Sequence, residues 1–377
     1  MTIVRGGPRE LVALAWYQLG YRPRESVVVI GLDGVRGRTG LVVRADLGAA
    51  DRRTLTAVCR SVVRPLRRTG AHAAVVIAVT DRDHEVSRRV ARVAAGVMSA
   101  AGLTLAEALY VGPSTFGSLR CAVDGCCPEL PLAEVESSEV AARMVAMGRV
   151  LAPDEATLLA DVEPAGGPPG SARPGEPGEQ EVPAAPTGSG ASAAPAGSGA
   201  PTEQARPAEP LGDPRLDASG WLAHWREVLG GTAVAPRSGF AAALRDVRLR
   251  DAVLLTLVPG AGRVPEDLLT GHPVPGSVLD GAPDQELLTR GTALLAAAAR
   301  EAGPGRRADV LGVLAWAAWW SGDGARARLL AERAVAEEPG HRLARLVGLL
   351  LEEAVPPRWV DQGGVSDDET NCSDWLG

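Results

Sequence analysis

The stretch "AAVVIAVTDRDHE", residues 73–85, decides the fold. An unbroken apolar run from Ala73, with no polar alternation before Thr80, reads as a strand buried on both faces, as in sheets that carry helices on each side. Working outward, "SVVVIGL" (Ser26–Leu32) is a second such run, and "GLVVRADL" (Gly40–Leu47) is its hairpin partner across the glycine-rich "DGVRGRTG". Helical spacing marks "PRELVALAWYQLG", closing on Gly20, then an amphipathic helix from Asp51 to Arg68 and another from Val86 to Ala101. "LAEALYVG" (Leu105–Gly112) adds a strand and Ser138–Leu151 a last helix. Strands alternating with helices predict an α/β domain, a mixed and partly parallel sheet with flanking helices, over residues 1–158.

Near Asp161 the composition changes to Pro, Gly, Ala, Ser and Glu with almost no large apolar side chain. Such a segment cannot offset an ordering cost of about 1 to 2 kcal/mol per residue, so 159–215 reads as a disordered linker. Beyond it, six segments with periods near 3.6 residues predict an all-α bundle over 216–358: Trp221–Leu229, Phe240–Leu257, Gln285–Ala302, Ala308–Trp320, Ala325–Glu338 and Arg342–Glu353. Within it "SGDGARARLLAERAVAEEPGH" has the small residues Ala327 and Ala334 seven apart and a closing Pro339, which predicts one tetratricopeptide-like helix hairpin. Residues 359–377, ending "SDDETNCSDWLG", read as a disordered acidic tail with one aromatic, Trp375.

Composition removes whole reaction classes. All 39 basic residues are arginine. Without lysine there is no Walker-type phosphate loop, no Schiff base and no kinase strand lysine. GxSxG, HExxH and paired CxxC are absent, and Gly31, Gly34, Gly37 and Gly40 precede a strand without spelling GxGxxG. No leader or apolar span of about 20 residues occurs, which predicts a cytoplasmic protein whose five cysteines stay reduced. Charge is uneven: residues 1–150 carry 20 arginines against 14 acidic residues, a balance of +6, and the rest carries 19 against 32, a balance of −13. Either the two halves dock on each other or the basic half meets a protein or anionic partner. With no aromatic residues among the arginines to stack bases, nucleic acid is disfavoured as that partner, and no membrane contact is expected.

Four groups are candidate sites. Cys121, Cys126 and Cys127 lie in "CAVDGCCPE", where Asp124-Gly125 is a two-residue turn signal. The readings are a structural hairpin, a thiol redox element, or part of a metal site closed by Cys59, His72 or His84; a tetrahedral site needs four ligands and the second knuckle is missing, so no metal and no cofactor are assigned. Asp81, Asp83 and His84 follow the strongest strand, where ligands bind in open α/β sheets, yet Thr80 and Asp83 also have the form of a capping box. Arg60, Arg64 and Arg68 make a basic stripe, continued by Arg88, Arg89 and Arg92 on the next helix, suited to an anion or simply to solvent. Arg36 and Arg38 stand at the tip of the glycine-rich hairpin as further anion-binding candidates.

Taken together, "VRGGPRELVALAWYQLGYRPRESVVVIGL", "VVRADL", "CAVDGCCPE", "LRDAVLL" and "LAWAAWWSGDGARARLLAERAVAEEPGHRLARL" resemble the actinobacterial domain of unknown function 4192 family. The similarity covers both ordered halves and skips the linker. This chain has "STFGSL" (Ser114–Leu119) where the family tends to be aromatic-rich, so a stacking role there is not implied. The resemblance implies the architecture and brings no activity. The sequence therefore reads as a binding or adaptor protein, a basic α/β recognition module tethered to an acidic helical domain. The alternatives are an enzyme with its site near Asp81, Asp83 and His84, and a thiol or metal-stabilised sensor using the three cysteines.

Overall fold

The structure is a computed structural model and describes residues 7–33, 38–48, 52–119, 128–164 and 216–362. Its first part runs α1 (Pro8–Leu19), β1 (Ser26–Asp33), β2 (Arg38–Asp46), α2 (Arg52–Ser61), α3 (Val63–Arg68), β3 (Ala73–Val79), α4 (His84–Ala100), β4 (Thr104–Val111), β5 (Thr115–Ser118), β6 (Leu130–Pro131), α5 (Ala133–Glu136), α6 (Glu139–Ala146) and α7 (Glu155–Leu158). The strands form one sheet in the order β2-β1-β3-β4-β5-β6. β1 and β2 pair as the expected antiparallel hairpin, and β3 and β4 are parallel with α4 between them in sequence. β1 with β3, β4 with β5 and β5 with β6 are antiparallel, so the sheet is mixed.

The period of two along the central strands sorts their side chains into two cores. Val28, Ile30, Val75 and Ile77 face α1 and merge with the core of the helical region. Val27, Val29, Ala74, Val76 and Ala78 face Leu55 of α2, Leu66 of α3 and Val90 and Ala94 of α4. Every residue of β3 is buried, which is why its sequence shows no alternation.

Two long amphipathic stretches break for local reasons. The helix expected over Asp51–Arg68 divides after Ser61, because the Pro65 ring has no N–H and collides with the carbonyl four residues back, at Ser61. The one expected over Phe240–Leu257 divides into α9 (Phe240–Ala243) and α10 (Val247–Leu255), because the Asp246 carboxylate accepts the Arg248 and Leu249 N–H groups and caps a new helix. The helix expected to reach Leu151 stops at Ala146, near Gly148 at φ +77°.

The helical part comprises α8 (Ala218–Leu229), α9, α10, α11 (Val264–Leu269), α12 (Gln285–Ala302), α13 (Ala308–Trp320), α14 (Gly324–Glu337), α15 (Arg342–Glu352) and α16 (Arg358–Gln362). Among the described residues no helix is long and apolar enough to cross a membrane. One apolar cluster runs from Leu11 on α1 to Val347 on α15, so the two parts share a core. Order continues past residue 158, where composition put the linker: Leu159 and Val162 are buried, and Arg326 of α14 reaches the Leu158 carbonyl and the Asp161 carboxylate at 2.6 Å each. It also continues past 358, with Trp359 Nε1 donating to the Trp320 carbonyl at 2.8 Å. In both places a few apolar or arginine contacts decide what average composition does not.

Candidate functional site

Thr80 ends the buried run of β3, its N–H bonded to the Val111 carbonyl of β4, so the next residues emerge at the carboxyl ends of the parallel pair. The cap of α4 is Asp83 alone, whose carboxylate accepts the Glu85 N–H at 2.6 Å. Thr80 instead turns its hydroxyl onto the Arg82 N–H at 2.8 Å. The capping-box reading is corrected accordingly: the short Asp side chain competes best for the free N–H groups directly ahead of it. Asp81 points away from the cap and accepts Arg24 Nε at 2.7 Å. Two of the three acid–base candidates are thus occupied in local structure.

His84, the first residue of α4, lies against Gly112 at the end of β4. A Cβ there would stand 2.5 Å from its Cε1. Its Nε2 is 3.1 Å from the Thr115 hydroxyl of β5, and that hydroxyl donates to Glu129 Oε2 at 2.8 Å. One turn along α4, Arg88 donates through Nη2 to the Tyr110 hydroxyl at 2.9 Å and to Glu129 Oε1 at 3.0 Å, its guanidinium 4.7 Å from the centre of the Tyr110 ring. Tyr110 in turn donates to Glu129 Oε1 at 3.2 Å. Helix α4, strands β4 and β5 and the segment before β6 therefore meet on one carboxylate.

The network orders its own protons. Because the Thr115 proton is committed to Glu129, its oxygen accepts from His84 Nε2–H, and in the neutral ring Nδ1 carries the lone pair. That Nδ1 is buried without a hydrogen-bond partner, 3.8 Å from Glu129 Oε1. Burial pushes the Glu129 carboxyl up, but the bonds from Thr115 and Tyr110, the positive charge of Arg88 and that of the His84 ring once protonated outweigh it and hold the group below its ordinary value. Burial also pushes the Tyr110 phenol up, with Glu129 adding to this and Arg88 opposing it.

A depressed folded-state value stabilises the fold above the unfolded carboxyl value, about 4.3, and the contribution is lost as pH falls through the folded value. The melting temperature of Glu129→Gln should therefore lie below wild type at neutral pH and converge on it below about pH 4. Gly112→Ala should push the His84 ring off Thr115 and cost about 1–3 kcal/mol, read by chemical denaturation. The His84 ring resonances should report the broken bond.

The remaining candidates scatter. Cys121, Cys126 and Cys127 lie outside the described residues, as does Arg36; Arg38 opens β2. Glu129 is two residues beyond Cys127 in sequence. His72 precedes β3 at the sheet's opposite end, roughly 20 Å away at strand spacing. Cys59 is buried beneath α2 with its thiol pushed up to about 11 by that burial. Among the described residues no three His, Cys, Asp or Glu side chains are grouped to hold a metal. Arg64 and Arg68 pair with Glu353 at the end of α15, the first at 2.7 Å, while Arg60 lines a groove beside Arg92.

Glu129, Thr115 and Tyr110 escaped sequence reasoning, and Arg88 passed for part of a solvated stripe. Glu129 did stand in the quoted "CCPE", but no spacing rule joins it to a histidine 45 positions earlier. Fold and site together define a class: a mixed six-stranded α/β unit fused through a shared core to a helical array, with a polar knot where the parallel strands end. The chain belongs to the family described as Domain of unknown function (DUF4192), which matches residues 8–358. Comparison with curated proteins and with solved structures returns no match.

Proposed function

We propose that this is a cytoplasmic, non-enzymatic binding or adaptor protein that displays its cysteine-bearing segment at the carboxyl edge of the sheet to a protein or anionic partner. The observation that carries this reading is the engagement of Glu129 by Thr115, Tyr110 and Arg88. A carboxylate that holds three hydrogen bonds from three elements and whose protonation is disfavoured is a fastening rather than a general base. Asp81 and Asp83 are equally committed, to Arg24 and to the helix cap. The helical part supplies a second surface: α13, α14 and α15 follow one another through short turns and share a core, which supports tetratricopeptide-like packing.

The test is crosslinking of the full chain in its native cell. A partner that depends on the displayed segment should be recovered at least about tenfold less with folded Glu129→Ala, and undiminished with Arg237→Ala, distant in sequence. Equal recovery with Glu129→Ala would overturn the reading.

One observation favours a second reading, the thiol or metal sensor using Cys121, Cys126 and Cys127. A buried imidazole nitrogen with a free lone pair, oriented by a bond from its other nitrogen, is how metal-binding histidines are held. Elemental analysis of the purified full chain decides it. One equivalent of zinc, lost on Cys121→Ser and on His84→Ala, would establish the site; no zinc in chain purified and reconstituted without chelator would dismiss it.

A further inference from the structure

On the outer face of the sheet, α2, α3 and α4 leave an open groove of about 640 Å³ between them, lined by Val63, Val93 and Val97 with Arg60 and Arg92 exposed on either side. At Gly96 a Cβ would meet nothing within 4 Å, so the groove is unfilled there. Its field is positive. Arg60 and Arg92 flank the groove and the exposed Arg89 lies on the same helix as Arg92, against Glu85, which lies 3.9 Å from Arg92.

We propose that the occupant of this groove is the chain's own residues 363–377. Charge complementarity is the first argument: those residues carry Asp367, Asp368, Glu369 and Asp374 and no basic residue. Trp375 and Leu376 follow the last acid and supply an apolar pair for the three valines, with the indole face available to a guanidinium. Continuity is the second. Arg64 and Arg68 already hold Glu353, so the end of α15 sits one helical turn along from Arg60, on an interface that the groove extends. Reach is the third: the described chain ends at Gln362, and the fifteen residues beyond it span up to roughly 50 Å when extended. A tether of this length sets an effective concentration of order millimolar, so even a weak contact is populated. The surface that attracts an anionic or acidic partner is then covered by the chain itself until something displaces the segment.

Hydrogen–deuterium exchange on the full chain tests this without truncation. In wild type at low salt, amides of residues 363–377 and of α4 around Gly96 should exchange more slowly than in Arg60→Glu/Arg92→Glu, by at least roughly fivefold. Gly96→Trp fills the groove from a position with room for a side chain and should release the segment by a similar factor, which keeps the test valid if charge reversal perturbs the helices. Placing Asp367→Arg and Asp368→Arg in the charge-reversed chain should restore the slow exchange. Rates for 363–377 that are the same in wild type and both groove variants overturn the proposal. Protection that grows with protein concentration overturns it too, because it assigns the groove to a second copy. So does protection of α4 seen only when polyphosphate is added.

Discussion

Arg307→Met should lower the unfolding free energy by about 3–5 kcal/mol, the typical cost of leaving one partner of a buried ion pair alone. The Arg307 side chain is 3% exposed at the start of α13, and each nitrogen of its guanidinium donates a bond: Nε to Glu337 Oε1 at 2.5 Å, Nη2 to Glu163 Oε2 at 3.0 Å and Nη1 to the Val162 carbonyl at 2.7 Å. Methionine fills most of the volume but leaves the Glu337 carboxylate, 10% exposed, without its counter-ion. Arg333 keeps hold of Glu163 at 2.9 Å, so most of the loss falls on Glu337. Chemical denaturation of Arg307→Met and of Arg307→Met/Glu337→Met separates the causes. The double variant should recover most of the loss, since replacing a whole buried pair by apolar groups is often close to neutral. An equally unstable double variant would show that packing, and not the orphaned charge, sets the cost. Hydrogen exchange should also rise in residues 159–164 of Arg307→Met, because this arginine ties that segment to the helical part.

Trp225→Ala should cost about 3–5 kcal/mol. Its ring is fully buried, stacks on Phe240 with centroids 5.3 Å apart and planes 9° apart, and donates through Nε1 to the Thr256 hydroxyl at 2.8 Å. Alanine removes the stacking and leaves a cavity at the junction of α8, α9 and α10. Trp225→Phe keeps an aromatic ring against Phe240 but loses the donor and part of the buried volume. Its cost should be smaller, about 1–3 kcal/mol, for one hydrogen bond and a small cavity. Because the apolar cluster runs from α1 through to α15, both variants should unfold in one transition reported alike by tryptophan fluorescence and far-ultraviolet dichroism. Separate transitions for sheet and helices would show that the shared core does not couple them.

The binding proposal and the groove proposal make independent demands. The first needs the carboxyl edge, where Glu129 fastens the segment after Cys127; the second needs the opposite ends of helices on the outer face. Glu129→Ala should leave exchange at 363–377 untouched, and Arg60→Glu/Arg92→Glu should leave the Glu129 network intact.

By itself the amino-acid sequence determined the central strands, the main helices and the class. "AAVVIAV" has no alternation, so it had to be a doubly covered strand, and "SVVVIGL" with "GLVVRADL" had to pair across the glycines between them. The absence of lysine excluded its reaction classes outright. These are local properties, set by side-chain period, turn chemistry and composition. What only the tertiary structure decided is which distant side chains share an atom. His84, Arg88, Tyr110, Thr115 and Glu129 meet because β3 and β4 are parallel and β5 turns back beside them, and no rule of spacing encodes that register. Arg64 and Arg68 looked like an anion site until α15 brought Glu353 to them. Residues 159–164 looked like linker until Arg307 and Arg326 claimed their carbonyls and carboxylates. A charged side chain's role depends on the partner that arrives from far along the chain, and that arrival is decided by packing of the core, to which the charge itself contributes little.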